Sequence, residues 1–459
     1  MKRHLLFTLF YLVGSVAVFA QNPTVSIQDT LPEVVKVAES VRQFSADRYR
    51  MDPLSMQHLV SPLGTGDAVR YIQTLPGVST GGEGGSAYYV RGGSHGANLV
   101  TIDGVPLYGV SHLLGLTAAY PGEIINTADF HTGGFNSEEG NLTASHLRLT
   151  TRDGDYCSTQ ANVSLTPFLA SAHVSTPIVK DKVSYLGSVR ISPLGLEYKA
   201  LRGVVNRYQN TLKDFGLSVW DFFSKISYQS DPCNKITLSL FGNMDRYSFQ
   251  LNDLSNDSLG WGNIMTHLSW DCTSTSLFDR VCSSFSFNGH YSEQKQETSL
   301  DGVNNLFLAR STLDELTLSS TAVKRWERWS AQFGYKMRGA CFNPGSSRLA
   351  EDVRGNNSHT MLLSLHGQLE YMSLERFLFK IALRGNVYGV AYNGKADWMC
   401  HPELSMMARI NLTKRLGIEA TADYLTQYYH TLEGIPLGWS LDMLVPSDAT
   451  NPPERAIQV

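Results

Sequence analysis

Gly92-Gly93-Ser94-His95-Gly96 spells the nucleophile motif G-x-S-x-G. A nucleophile elbow joins a strand to a helix, which lifts the serine hydroxyl out of a sharp turn. Here Tyr88-Tyr89-Val90-Arg91 reads as a strand, but Ala97-Asn98-Leu99-Val100-Thr101-Ile102 after the motif also has strand character. Ser94 is therefore not expected to act as a nucleophile. No H-E-x-x-H, P-loop or EF-hand pattern occurs, and the 13 histidines are scattered. The six cysteines (157, 233, 272, 282, 341 and 400) contain no C-x-x-C pair, which argues against zinc or thioredoxin-like chemistry. Cys272 and Cys282 flank a hairpin centre near Leu277, but strand parity puts them on opposite faces, so free thiols are expected. No catalytic residue, metal or cofactor is expected, and the chain does not read as an enzyme. One charge stands out: Arg91 lies in apolar sequence, where a buried guanidinium needs a carboxylate. Glu138 or Glu139 is the expected partner; the alternative is an exposed arginine at a strand end.

The elements that would carry these residues fall into two styles. The chain has 459 residues and a net charge of −4, which excludes a strongly basic nucleic-acid binder. Charged residues make up only 17%, against about 25% in an average soluble domain, so the surface is short of charge. Lys2, Arg3 and His4 precede an apolar run from Leu5 to Val18 that ends in small residues at Ala20. That pattern reads as a signal peptide over 1–20, so export is expected.

From 52 to 154 the text is glycine-rich and mixed. Residues 64–75 read as a short helix, with Thr65 or Asp67 as cap and Val69, Ile72 and Leu75 on one face. Strands are expected near 88–91, 99–102, 127–132 and 145–151, with a tight turn at Asp103-Gly104. Gly92, Gly93, Gly104, Gly133, Gly134 and Gly140 are read as left-handed turn positions. The result is a small α+β domain.

After Gly154 the chain alternates. Along Lys235 to Asp245, Ile236, Leu238, Leu240 and Met244 oppose Thr237, Ser239, Asn243 and Asp245; 327–338 and 415–429 behave alike. Period two with one apolar face is a strand half out of water. The expected strands run ten to fifteen residues, long enough for a tilted membrane strand, which needs about 9–11. Whole charges on the polar faces (Arg328, Lys336, Arg338, Glu419, Asp423) suit a wet lumen. Short connections at 179–182, 230–234, 273–277, 325–326, 373–375 and 413–414 alternate with long ones near 195–216, 249–260, 293–310, 342–358, 392–400 and 430–453. Residues 159–177 read as two shorter strands bent at Thr166-Pro167. This is a mainly β chain: a small α+β domain, then an antiparallel transmembrane β-barrel over 155–459 with about 13 strands and a fourteenth starting at Ala456. The competing reading is a secreted or surface-exposed β-rich binding or adhesion protein without transport.

Four fragments of the small domain carry a family resemblance. They are Asp67-Ala68-Val69-Arg70 through Leu75-Pro76-Gly77-Val78; Tyr89-Val90-Arg91-Gly92-Gly93; Val100-Thr101-Ile102-Asp103-Gly104-Val105-Pro106-Leu107; and Ile124-Ile125 through Gly133-Gly134-Phe135 to Leu147–Gly154. In this order they resemble the plug of a TonB-dependent outer-membrane receptor. The resemblance implies a plug over 52–154 inside a barrel in the outer membrane, with no nucleic-acid partner. It implies TonB-energised uptake of a scarce nutrient: siderophore, haem, cobalamin or glycan. It also implies a periplasmic segment over 21–51 with a TonB box at 29–38. The box candidates are Asp29, Thr30, Leu31, Glu33, Val34, Val35 and Val37. Such a short segment can add as a strand to a partner's sheet. The outward plug tips would be the loops at 80–87 and 107–119, where Tyr88, Tyr108 and His112 are best able to stack on a ligand or hydrogen-bond to it. Barrels of the family have about 22 strands, so the count implies a truncated, non-functional form.

Overall fold

The computed structural model describes residues 41–45, 47–51, 66–81, 87–208, 212–251, 255–273, 275, 277–300, 303–348, 351–354, 357–373, 376–392, 394–413, 416–432 and 443–459. The expected signal peptide and the box at 29–38 lie outside them.

The small domain is built on a six-stranded mixed sheet. Its strands are β1 (Val41–Ser45), β2 (Arg48–Met51), β3 (Asn98–Ile102), β4 (Val105–Pro106), β5 (Ile125–His131) and β6 (Ser145–Thr151), in the order β1-β2-β5-β6-β3-β4. Only β6 and β3 run parallel. The sheet thus takes in residues 41–51, which the sequence reading left in the preceding segment. β3 and β4 form a hairpin whose two central residues, Asp103 and Gly104, both have positive φ. That is the backbone twist a two-residue turn needs. The Asp103 carboxylate also accepts from Thr151 N and Oγ1, tying the turn to β6. Helix α1 (Ala68–Ile72) starts at Asp67, whose side chain accepts from the amides of Val69 and Arg70. Met51, Val69, Ile72, Tyr88, Ile102, Phe130 and Leu147 fill one core.

Of the six glycines read as left-handed turns, Gly92, Gly104 and Gly134 have positive φ. The others serve close approach instead: a Cβ on Gly93, Gly133 or Gly140 would meet Ala144, Asp47 or Arg384 within 3 Å.

The rest of the chain forms an antiparallel sheet of fourteen strands in chain order, with a short side strand at Glu351–Arg354. They are β7 (Gln160–Leu165), β8 (Ala170–Val179), β9 (Val183–Ile191), β10 (Leu212–Asp231), β11 (Asn234–Leu251), β12 (Ser255–Thr273) and β13 (Arg280–Leu300). They continue as β14 (Val303–Arg325), β15 (Trp329–Arg348), β16 (Ser358–Ser373), β17 (Phe377–Tyr392), β18 (Lys395–Asn411), β19 (Gly417–Gln427) and β20 (Glu454–Gln458). The bend between β7 and β8 falls at Thr166, whose amide donates to Leu169 O at 2.9 Å and whose hydroxyl accepts from Leu169 N at 3.0 Å. Cys272 registers with Val281 and Cys282 with Asp271, and both thiols are free.

The strands outrun the sequence reading. The loops expected at 249–260, 293–310 and 392–400 are mostly strand, because β11 pairs with β12, β13 with β14 and β17 with β18 almost to their tips. The connection expected at 195–216 contains helix α2 (Leu194–Tyr208), whose first bonds close on the Pro193 carbonyl.

The sheet is inside out relative to a water-soluble protein. On β11, Ile236, Leu238 and Leu240 are 42%, 41% and 42% exposed, whereas Thr237, Ser239, Asn243 and Asp245 are 8%, 6%, 2% and 0%. Outward apolar side chains continue through Leu268, Phe285, Leu318, Phe333, Leu365, Leu383 and Ile418. Buried polar groups with an exposed apolar belt are the arrangement of a barrel wall whose outside meets lipid. Among the described residues no pairing joins β7 to β20, so the sheet has two free edges.

Candidate functional site

The inner face of the large sheet grips the small domain. It is mostly polar. Three asparagines on neighbouring strands donate to backbone carbonyls of the small domain: Asn243 to Ala119 at 2.9 Å, Asn263 to Tyr108 at 2.6 Å and Asn288 to Pro106 at 2.9 Å. Strand alternation places all three inward. The sequence signal was the polar face itself; what it could not show is that the faces converge on one loop. Apolar clusters also join the two: Leu186, Phe223, Phe241 and Met265 of the wall with the small-domain core, Leu113 with Val219 and Leu259, Tyr108 with Leu313 and Phe342, and Phe135 and Leu142 with Leu425.

Within this wall sits a chain of four ionisable groups. His112 Nδ1 contacts the Asp245 carboxylate, and Nε2 lies 3.1 Å from Asp221 Oδ2. Arg190 Nε donates to the same Asp221 oxygen at 2.7 Å, and Arg190 Nη2 to Ala118 O at 2.6 Å. Asp245 Oδ2 also accepts from Leu113 N at 3.0 Å and Tyr247 Oη at 2.7 Å. His112, Asp221, Asp245 and Arg190 are all buried. Burial alone would push the imidazole down. The two carboxylates outweigh it and hold His112 up at about 9, so the chain is two cations against two anions, neutral as a whole.

The opposite wall holds residues 132–141. Gly134 N donates to Asp423 Oδ2 at 2.8 Å, and its carbonyl accepts from Lys380 and Arg48. Its φ of 58° is a left-handed conformation that L side chains resist. Asn136 Oδ1 accepts from Lys380 Nζ at 3.2 Å, and the Ser137 carbonyl accepts from Arg384. Ser137 N donates to Gln368 Oε1 at 3.1 Å. Further along, Asn141 Oδ1 accepts from Tyr428 N at 2.8 Å.

The expected partnership of Arg91 with Glu138 or Glu139 does not form. Arg91 pairs with Asp47 and donates to Thr132 O, and its side chain is 39% exposed. Its carboxylate comes from the turn between β1 and β2, which the sequence reading had placed outside the domain. Glu138 pairs instead with Arg148 at 2.6 Å. Glu139 is buried between His131 and His146 and accepts from Asn136 N at 2.8 Å. Burial would raise the Glu139 carboxyl, but the two imidazoles hold it well below the usual carboxylate range.

Tyr88, Tyr108 and His112 are not at accessible tips either. Tyr88 lies in the small-domain core, edge-on to Phe130. Tyr108 packs edge-on against Tyr429, and its hydroxyl donates to Glu315 Oε2 at 3.1 Å. All three are already engaged, so none is available to a ligand in this conformation. Of the loop at 80–87, residues 82–86 lie outside the described set. Ser94 caps a single 3-10 turn that leads directly into β3, not a helix.

Residues 54–143 match the family model of the TonB-dependent receptor plug domain. No curated protein matches the sequence. The fold is shared with solved structures at low identity. The copper transporter OprC aligns with a TM-score of 0.62 and 12% identity, over 85% of this chain and 64% of that one. The siderophore receptor PirA from Acinetobacter baumannii gives 0.61 and 12%, over 90% and 67%. FpvA of P. aeruginosa, solved with heterologous pyoverdines, gives 0.62 and 10%, over 90% and 60%. This chain therefore spans under two thirds of the length of OprC and FpvA. The architecture defined above is a plug held by the polar inner face of a barrel sheet. Residues 54–143 thus match the plug domain of TonB-dependent receptors, and the fold is shared with the solved structures above.

Proposed function

We propose that this chain acts as an outer-membrane receptor for TonB-energised uptake of a small nutrient. The observation that carries the reading is the polar contact between plug and wall. Its hydrogen bonds to backbone carbonyls can be exchanged for water when the plug moves. The inside-out sheet supports a lipid location for the wall. Siderophore, haem, cobalamin and glycan remain the substrate classes; OprC by its description takes copper, and PirA is a siderophore receptor. Uptake also requires that the free edges of β7 and β20 be closed, since an open edge leaves unpaired N–H and C=O groups facing hydrocarbon.

The energy box at 29–38, with Asp29, Thr30, Leu31, Glu33, Val34, Val35 and Val37, is the proposed contact with TonB. Val34→Pro removes an N–H donor from the added strand. It is expected to abolish TonB pull-down while membrane recovery of the chain stays unchanged. Undiminished pull-down would remove the box from this account. A soluble product, with no apolar belt in lipid, would instead favour a secreted binding protein.

A further inference from the structure

Between the plug sheet and the loop at 132–141 lies a buried cluster that makes no bond of its own to the TonB segment or to a ligand tip. His131 ends β5, and His146 is its cross-strand partner on β6, the two rings edge-on at 6.5 Å. Both Nδ1 atoms point at one carboxylate. His131 Nδ1 lies 3.0 Å from Glu139 Oε1 and 3.1 Å from Oε2, and His146 Nδ1 lies 3.1 Å from Oε1. The same carboxylate accepts from Asn136 N at 2.8 Å, and Glu139 N donates to Asn136 O at 3.0 Å. Glu139 is thus the peg that fastens the loop's own turn to two strands of the sheet. On the far side of His146, Thr101 Oγ1 of β3 lies 2.9 Å from Nε2. His131, Glu139, His146 and Thr101 are all buried.

The bonds dictate where the protons sit. An ionised carboxylate only accepts, so both Nδ1 atoms carry hydrogen. His146 Nε2 then accepts from the Thr101 hydroxyl while the ring is neutral, and a further proton would make the ring a cation closed off from water. The charged groups around it come from every side. Arg148 follows on β6 and is held by Glu138; Arg48 of β2 is the register partner of His131. From the wall, Lys380, Arg384 with Glu403, and Asp423 reach the loop. Burial, with His131 and Arg148 beside it, outweighs the Glu139 carboxylate and holds the His146 imidazole below its ordinary range. Once the loop has left, the ring meets water and returns to about 6.5. The docked loop therefore binds fewer protons than the released one. Docking is complete above about pH 6.5 and weakens as the pH falls below it.

We infer that His131, Glu139 and His146 form an acid-sensitive latch, in which proton uptake at His146 favours a state where Glu139 and the loop at 132–141 have left the two imidazoles and the plug is loosened on the side of β16 to β19. Lys380 and Arg384 end on carbonyls of this same loop, so without the peg they hold a segment that is no longer tied to the sheet. The latch concerns how the plug is held and stands apart from TonB coupling and from uptake.

The test follows amide exchange of the full chain in detergent micelles, corrected for the intrinsic rate at each pH. In wild type, protection of residues 132–141 is expected to fall by up to about tenfold per pH unit below about 6.5, the limit for one linked proton. Residues 108–119 are the internal reference, because His112, raised to about 9, keeps its charge over this range. His146→Asn leaves an amide donor near the place of Nδ1 but no titrating ring, and protection of 132–141 is expected to lose its pH dependence. Should that variant fail to fold, hydrogen exchange at the His146 ring carbon Cε1 in wild type reports the ring's own titration, with a midpoint expected below about 6.5. Flat protection of 132–141 in wild type would overturn the latch. So would the same acid loss in His146→Asn, an equal loss in 108–119, or a ring midpoint at or above the ordinary value.

Discussion

The two walls that hold the plug do so with charge on different partners. On the wall of β9 to β13 the plug contributes its own cation, His112, and the wall surrounds it with Asp221 and Asp245. On the wall of β16 to β19 the plug offers neutral carbonyls of Gly134 and Ser137, and the wall supplies Lys380 and Arg384. A neutral carbonyl that leaves its partner finds water at small cost. A buried histidinium that departs strands itself and the Asp245 carboxylate, and Asp221 keeps only Arg190. The first wall should therefore act as the firm clasp and the second as the yielding one.

The sharpest way to break this contrast is His112→Ala. It leaves two buried carboxylates with one cation and is expected to cost on the order of 3–5 kcal/mol. Amide exchange in the full chain should show residues 108–119 losing protection, while residues 132–141 change less. Equal loss in both segments would end the distinction. A pH titration sharpens it. The imidazole is raised from 6.5 to about 9 in the fold, so its contribution is complete below about 6.5 and is lost as pH rises through about 9. That loss is on the order of 3 kcal/mol. The exchange difference between wild type and His112→Gln should shrink over that window; a difference independent of pH would show that the clasp is not ionic.

On the yielding side, Gly134→Ala forces a side chain into left-handed backbone, and its Cβ would also lie 3.2 Å from Thr421 Cγ2. About 1–2 kcal/mol of destabilisation is expected, read from unfolding in urea. The smallest effect is expected from Arg91→Ala. Its guanidinium is partly solvated, so the loss should stay below about 1 kcal/mol. A drop of several degrees in Tm would show that Asp47 depends on it more than the geometry implies.

The sequence revealed what period and punctuation control. The outward and inward faces of β11, the Asp67 cap, the Asp103-Gly104 turn and the bend at Thr166-Pro167 all follow from local chemistry. The strand tips did not show. From Glu293 to Thr298 both faces are polar, so alternation vanishes although the ladder with Asn305 to Arg310 continues. Helix α2 was missed for a similar reason, lying where a loop was expected between two clear strands. The site residues were misplaced because burial here is tertiary. Tyr108 and His112 read as loop-tip residues in one dimension, and only the converging wall makes them buried anchors. Arg91 found a carboxylate 44 positions upstream, in a hairpin whose short, charged strands carried little pattern.

Strand β1 lies at the edge of the plug sheet and pairs only with β2, through Val41↔Met51, Arg42↔Arg50, Gln43↔Tyr49 and Ser45↔Arg48. A tension applied at Val41 therefore meets the sheet at its margin. An edge ladder of this kind opens one rung at a time, so the force needed is set by single hydrogen bonds rather than by the whole sheet in shear. Asp47, which joins the β1–β2 turn to Arg91 and to Thr421 of the wall, is the next link in line. A pull that peeled β1 would reach this junction between plug and wall before it loaded the apolar core, making the first movement of the plug mechanically cheap and its complete extraction costly.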